Sequence, residues 1–201
     1  MNWKKGTWTI KLAEGREYEL CIASDWAPIR AFRQMLIDDP QAVYGDVLAE
    51  LQTADVRIAN LECPLTRHIT SVAKSGSVLK GQPEHISGLT CVPFDIVTLA
   101  NNHVFDYGND AFRETTDLLD AHGVKRVGAG LTRSEAIAPL VFTLGDTKMA
   151  LISFSEGEDL TGAVDGPGVF GWEIDTVKAM VKKAKATADL VVVICHGGVE
   201  Y

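Results

Sequence analysis

The order of apolar and polar residues along the chain sets out strands and helices in alternation. Residues 7–12 (TWTIKL) alternate, with Trp8, Ile10 and Leu12 on one face; the turn AEGR then leads to YELCIAS, residues 18–24. This predicts a hairpin running into a more buried strand. Pro28, Ile29, Phe32, Met35 and Leu36 fall at helical spacing until Pro40 stops the run. A second short helix is predicted over 46–54, capped by Asp46, with Val47, Leu48 and Leu51 inward. VRIANLE (56–62) is the next strand. Residues 65–90 are polar and weakly periodic, which predicts a long loop ending in a short helix near Pro83 to Leu89; loops of that length often bind. FDIVTLA (94–100) is a near-continuous apolar strand of the kind buried on both faces. Phe112, Thr115, Leu118 and Leu119 mark a helix closed by Gly123. A short strand near 124–127 and a small helix near 133–137 come next. PLVFTL and KMALISF, joined at Gly145-Asp146, form a hairpin. Ile174, Val177 and Val181 mark a last helix, and DLVVVICH (189–196) is the last strand.

Such alternation predicts an α/β fold with a largely parallel or mixed sheet covered by helices on both faces. The hairpin means the sheet is not purely parallel. No repeat or linker divides the chain, so residues 1–201 read as one domain, with 1–17 as an amino-terminal hairpin extension. Ligands in such folds bind beyond the carboxyl ends of the strands.

Composition narrows the function. A chain of 201 residues, 46% hydrophobic, is long enough to bury a sizeable core. The net charge of −8 supplies no basic field for a nucleic-acid backbone, although a bound dication can still attract an anionic substrate. The longest apolar run, Leu190 to Cys195, is strand-sized, so no transmembrane segment is expected. The first residues, MNWKKGTWTIKLAEG, lack an apolar stretch of the signal-peptide kind. As it stands the chain reads as cytoplasmic, with cell-surface association open if an export segment belongs to the full protein. Cys21, Cys63, Cys91 and Cys195 show no CxxC spacing and read as buried thiols.

Four apolar runs end in groups able to bind a metal. YELCIAS runs into Asp25, RIAN into Glu62, IVTLA into Asn101, Asn102 and His103, and VVVIC into His196. Taken singly, each has a plainer reading: Asp25 as a helix cap, the asparagines as turn residues, His196 as the opening of a Gly-Gly turn. Jointly they would converge hard oxygens and an imidazole, a set suited to Mn, Fe, Zn or Mg. Two such ions can clamp a phosphoryl or acyl centre and generate hydroxide near neutral pH. His103 reads as non-ligating and as a proton donor to a leaving group. Asp106 either orients that imidazole or caps the next helix. A nucleotide-binding α/β domain is a poor third reading, because Ser24-Asp25-Trp26-Ala27-Pro28 offers no glycine to a pyrophosphate and GVKRVGAG has the wrong spacing.

The blocks NLECPLT, ANNHVFDYG, GVKRVGAGLTRSEAIAP and HGGVEY, in that order across roughly residues 20–201, resemble those of the CapA-like (PgsA-like) proteins of capsule and poly-γ-glutamate synthesis. The resemblance implies a calcineurin-like metallophosphoesterase fold, αββα, in which two mixed sheets pack together with helices outside. It implies a metal site with Asp25, Glu62, Asn102 and His196 as ligands, two ions in the complete fold, and His103 as the catalytic histidine. Glu200 and Tyr201 complete the last block and fall to polymer contact. The substrate implied is an anionic polymer, or a small phosphoester or amide, and other capsule-synthesis proteins are implied as partners. Lys80 and Arg67, in the long loop, are candidates to contact the anion, although surface solvation explains both. Two departures bear on activity. Ala27 stands where metallophosphoesterases generally carry the histidine of Asp-x-His, and the family's Gly-His-His-Pro-His segment is expected beyond Tyr201. A metal-dependent hydrolase is therefore expected, and the alternative is a polymer-binding or assembly component that keeps the fold without turnover.

Overall fold

In the computed structural model, residues 15–156 and 162–197 are described, so the predicted strand at 7–12 lies outside the described residues. Four strands, β1 (Leu20–Trp26), β2 (Val56–Leu61), β3 (Ile96–Thr98) and β4 (Lys125–Val127), form an all-parallel sheet in that order. After a two-residue β5 (Ala129–Gly130) come β6 (Leu140–Leu144) and β7 (Thr147–Ser155), which pair antiparallel. The two-residue β8 (Gly168–Val169) pairs with β5, and β9 (Leu190–His196) lies parallel to β7, giving a second sheet in the order β6-β7-β9.

The two sheets face one another. Ile58 and Ile96 of the first pack with Phe142, Met149 and Leu151 of the second in one apolar cluster. Helices cover the outer faces: α1 (Phe32–Asp38), α2 (Leu48–Thr53), α3 (Ile86–Thr90) and α4 (Gly108–Ala121) on the first sheet, α5 (Arg133–Ile137) beside β5, and α6 (Ile174–Lys185) on the second. The result is an αββα sandwich, as the alternation predicts. Apolar area removed from water in the three clusters between these four layers supplies the driving force. Arg57 explains how a cation sits inside β2: its guanidinium donates to the carbonyls of Leu51, Gln52 and Ala54, the orphan acceptors at the end of α2, and to Asp95. Among the described residues, no helix is long and apolar enough to cross a membrane.

Four local expectations are corrected. Asp46 caps nothing: a 3-10 turn spans Pro40–Val47, and Val47 stands at the α2 N-cap without a side-chain bond. Val47 is exposed, while Leu51 is buried as expected. β1 is an edge strand among the described residues, so Ile22 stays half exposed rather than buried. Of the four free thiols only Cys63 is fully buried; Cys195, on the outer strand β9, is exposed. Alternation predicts a strand's two faces but not whether a neighbour covers its edge.

Candidate metal centre

The site forms where the carboxyl ends of both sheets meet. In the first sheet, parallel register sets Asp25 opposite Asn60 and Asn60 opposite Thr98, a row across three strands. A register shift between Ile22 and Asp25 inserts one extra residue in β1 and turns Asp25 onto the face that Asn60 shares. His196 arrives as the last residue of β9, from the second sheet.

Asp25, Glu62 and His196 each offer a ligand atom, and these atoms lie within 4.8 Å of one another. His196 Nε2 is 3.5 Å from Glu62 Oε1 and 3.3 Å from Asn102 Oδ1, while its Nδ1 is 3.6 Å from Asp25 Oδ1. All four ligands expected from the sequence thus come together. Glu62 is buried, and burial, followed by the nearby Asp25 carboxylate, pushes its carboxyl up to about 8. Two carboxylates and an imidazole at this spacing fit a divalent cation, which would relieve the repulsion that raises Glu62.

Asn60 is the hub that sequence reasoning passed over. Its amide nitrogen donates to Asp25 Oδ1 at 2.8 Å and to Glu62, and its carbonyl accepts from Thr98 Oγ1 and Asn101 Nδ2, both at 3.1 Å. The signal was available: an amide inside the apolar run RIANLE must find partners when buried. Asn101 itself is a turn residue, as expected. Its Oδ1 accepts the amides of His103 and Val104 at 3.0 and 2.8 Å, which fixes the loop carrying Asn102 and His103.

His103 Nδ1 lies 2.7 Å from Asp106 Oδ2. Asp106 is not a cap, because α4 begins behind Tyr107 with no side-chain cap bond. Its carboxylate also accepts from Lys74 Nζ at 2.9 Å and from the Leu79 amide at 2.6 Å, tying the long loop to the site. Lys74 donates as well to the Asn102 carbonyl at 2.9 Å. Nothing in the sequence distinguished Lys74 from other loop cations. Those that were singled out are engaged elsewhere: Arg67 pairs with Glu84, and Lys80 donates to the His68 carbonyl with its ammonium 4.8 Å from the Tyr107 ring centroid. Glu200 and Tyr201 lie outside the described residues. Two of the three glycines of GVKRVGAG serve packing: a Cβ on Gly128 would meet Ala100 and Ser153, and one on Gly130 would meet Glu135, whereas Gly123 has open space and a positive φ of +71°.

Residues 19–201 match the family described as bacterial capsule synthesis protein PGA_cap. The PGA biosynthesis protein CapA of Bacillus subtilis is 27% identical over 154 residues, covering 75% of this chain and 40% of that protein. A probable polyglutamine synthesis accessory protein of Mycobacterium tuberculosis is 27% identical over 172 residues, covering 77% of this chain and 45% of the relative. The chain therefore spans less than half the length of the curated relatives it matches. A solved structure from Staphylococcus aureus, named "Putative 5'-Nucleotidase", superposes with a TM-score of 0.55 at 17% identity, over 91% of this chain and 38% of the other. That likeness is one of fold alone.

Proposed function

The chain belongs to the bacterial capsule synthesis protein family, and from that premise we propose that it works in capsule or poly-γ-glutamate synthesis through a metal-dependent phosphoester- or amide-hydrolysing site. The observation that carries this reading is the convergence of Asp25, Glu62 and His196, delivered by two different sheets, within 4.8 Å. Asp25, Glu62, Asn102 and His196 would hold a divalent ion. When bound, such an ion polarises the reacting carbonyl or phosphoryl oxygen and lowers the pKa of a bound water.

The chain's own residues do the rest. Asn60 holds the Asp25 and Glu62 carboxylates at fixed spacing through one amide. The Asp106 carboxylate accepts from His103, which assigns the proton there to Nδ1 and fixes the plane of the ring. His103 then serves as the acid that protonates the leaving group. Lys74 neutralises Asp106, so the pair carries no unpaired buried charge.

A second reading, a polymer-binding or assembly component without turnover, is favoured by Ala27 at the position where an Asp-x-His imidazole would stand. Metal analysis of the purified chain, then hydrolysis of an aryl phosphate and a γ-glutamyl amide with added Mn²⁺, separates the two. Retained metal with cleavage that His103→Ala abolishes supports the hydrolase. Metal without cleavage of either bond leaves the binding component, and no metal with an indifferent His103→Ala sinks the enzymatic reading.

A further inference from the structure

Asn102 and the His103–Asp106 pair lie in one short turn, and a single side chain from elsewhere in the chain reaches both. Lys74 Nζ donates to the Asn102 carbonyl and to Asp106 Oδ1, each at 2.9 Å. The first acceptor is the backbone of an expected metal ligand, and the second belongs to the carboxylate that holds His103 Nδ1. The Lys74 side chain is 21% exposed and Asp106 is buried, so these charge-assisted bonds lie largely out of water. The ammonium also acts on a third member of the site. Burial and the Asp25 and Asp106 carboxylates push the Glu62 carboxyl up, and the Lys74 charge works against them.

The loop that carries Lys74 is pinned on both sides of it. At its base Leu65 and Gly81 form a β-bridge, with the Thr66 amide donating to the Gly81 carbonyl at 3.0 Å and the Gly81 amide to the Pro64 carbonyl at 2.8 Å. A Cβ on Gly81 would lie 2.5 Å from Leu65 Cδ2 and from Pro28 Cγ, so this crossing has no space for a side chain. Farther out, the Val72 amide donates to the Asp106 carbonyl at 2.8 Å and the Leu79 amide to Asp106 Oδ2 at 2.6 Å. Asp106 thus receives the loop before Lys74, at Lys74 and after it. Ends held together and a tip bonded inward are the marks of a packed Ω-loop, and here they order the long lysine stem in advance.

We propose that Lys74 is a positioning residue that couples the two halves of the site: it fixes Asn102 for the metal ion and, through Asp106, fixes His103 for proton transfer. Ion and acid are then set relative to one another by one shared donor rather than by independent contacts. This role rests on the reading of Asp25, Glu62, Asn102 and His196 as ligands of a divalent ion.

The test compares the full chain with Lys74→Met, Lys74→Arg and His103→Ala at one fixed pH, reading Zn²⁺ affinity by calorimetry and the His103 tautomer by imidazole nitrogen NMR. Lys74→Met keeps the stem and removes the charge and donors. It is expected to weaken Zn²⁺ binding about 10–100-fold and to replace the single Nδ1–H tautomer with a mixture. His103→Ala leaves Zn²⁺ affinity unchanged, and Lys74→Arg, which restores charge and donors, recovers most of both readouts. Lys74→Met with wild-type Zn²⁺ affinity, or with a single His103 tautomer, overturns the coupling. Should Lys74→Met fail to fold, the Lys74 ammonium resonance of the wild-type chain decides: a shift on adding Zn²⁺ sustains the coupling, and indifference to Zn²⁺ overturns it. A wild-type chain that binds neither Zn²⁺ nor Mn²⁺ sinks the metal-site reading and the coupling with it, whereas Zn²⁺ binding that Lys74→Met leaves intact sinks the coupling alone.

Discussion

His103 Nδ1 and Asp106 Oδ2 stand 2.7 Å apart, with Asp106 buried to 1% exposure and braced by Lys74 and the Leu79 amide. One carboxylate thus joins the imidazole, a lysine and a backbone amide of the long loop.

If that pair supplies the proton, His103→Ala lowers turnover by roughly 10²–10⁴ with metal content unchanged. Asp106→Asn gives a smaller loss, about 10–100-fold, because the ring remains but its orientation is no longer enforced by charge. Steady-state kinetics alongside metal analysis checks this. Loss of metal in parallel with rate would mean the pair supports the fold of the site, not its chemistry.

Asn60→Ala removes the common partner of Asp25 and Glu62 and strips acceptors from Thr98 and Asn101, both buried. The expected cost is about 2–4 kcal/mol in denaturant unfolding, with metal affinity weakened roughly 10–100-fold. A variant with wild-type metal affinity would show that the amide does not organise the ligands.

Glu62 gives the metal-free chain a pH dependence of definite sign. Its folded pKa of about 8 lies above the ordinary 4.5, so the folded state holds that proton more tightly. Its contribution to stability is full below the lower value and is lost as pH rises through the upper one. The Tm of the metal-free chain should therefore fall between about pH 5 and 9, by an amount worth at most a few kcal/mol. Glu62→Gln flattens that slope, and the Tm gain from added Zn²⁺ grows with pH over the same window. Calorimetry across that range decides it; a Tm rising with pH through this interval contradicts the assignment.

Gly128 and Ser153 meet where the ends of the two sheets approach. Gly128 has φ +95°, and a Cβ there would lie 2.7 Å from Ala100 Cβ and 2.9 Å from the Ser153 carbonyl oxygen. Gly128→Ala should cost about 2–4 kcal/mol. Ser153 Oγ is buried and, among the described residues, has no hydrogen-bond partner, so Ser153→Ala should stabilise by about 1 kcal/mol. Thermal unfolding of the two variants reads both, with shifts of opposite sign expected.

Hydrophobic period by itself determined much of this protein. The runs VRIANLE, FDIVTLA, KMALISF and DLVVVICH all contain strands; the first three are buried between covering layers, as continuous apolar stretches of that length require, whereas β9 is an outer strand with no fully buried residue. The polar residues that end those runs are the ones that meet. Asp25, Glu62, Asn102 and His196 were legible because strands with their carboxyl ends at one edge deliver their next residues to one place. Tertiary structure decided everything set across strands. Parallel register, not spacing, put Asn60 between Asp25 and Thr98, and a bulge in β1 chose the face on which Asp25 stands. Lys74 reached Asp106 across 32 positions, and no local pattern encodes such a pairing. Edge exposure of Ile22 and Cys195 likewise depends on which neighbours each strand acquires. Local sequence fixes the direction of a side chain within its element, whereas the company it keeps depends on contacts between elements far apart in the chain.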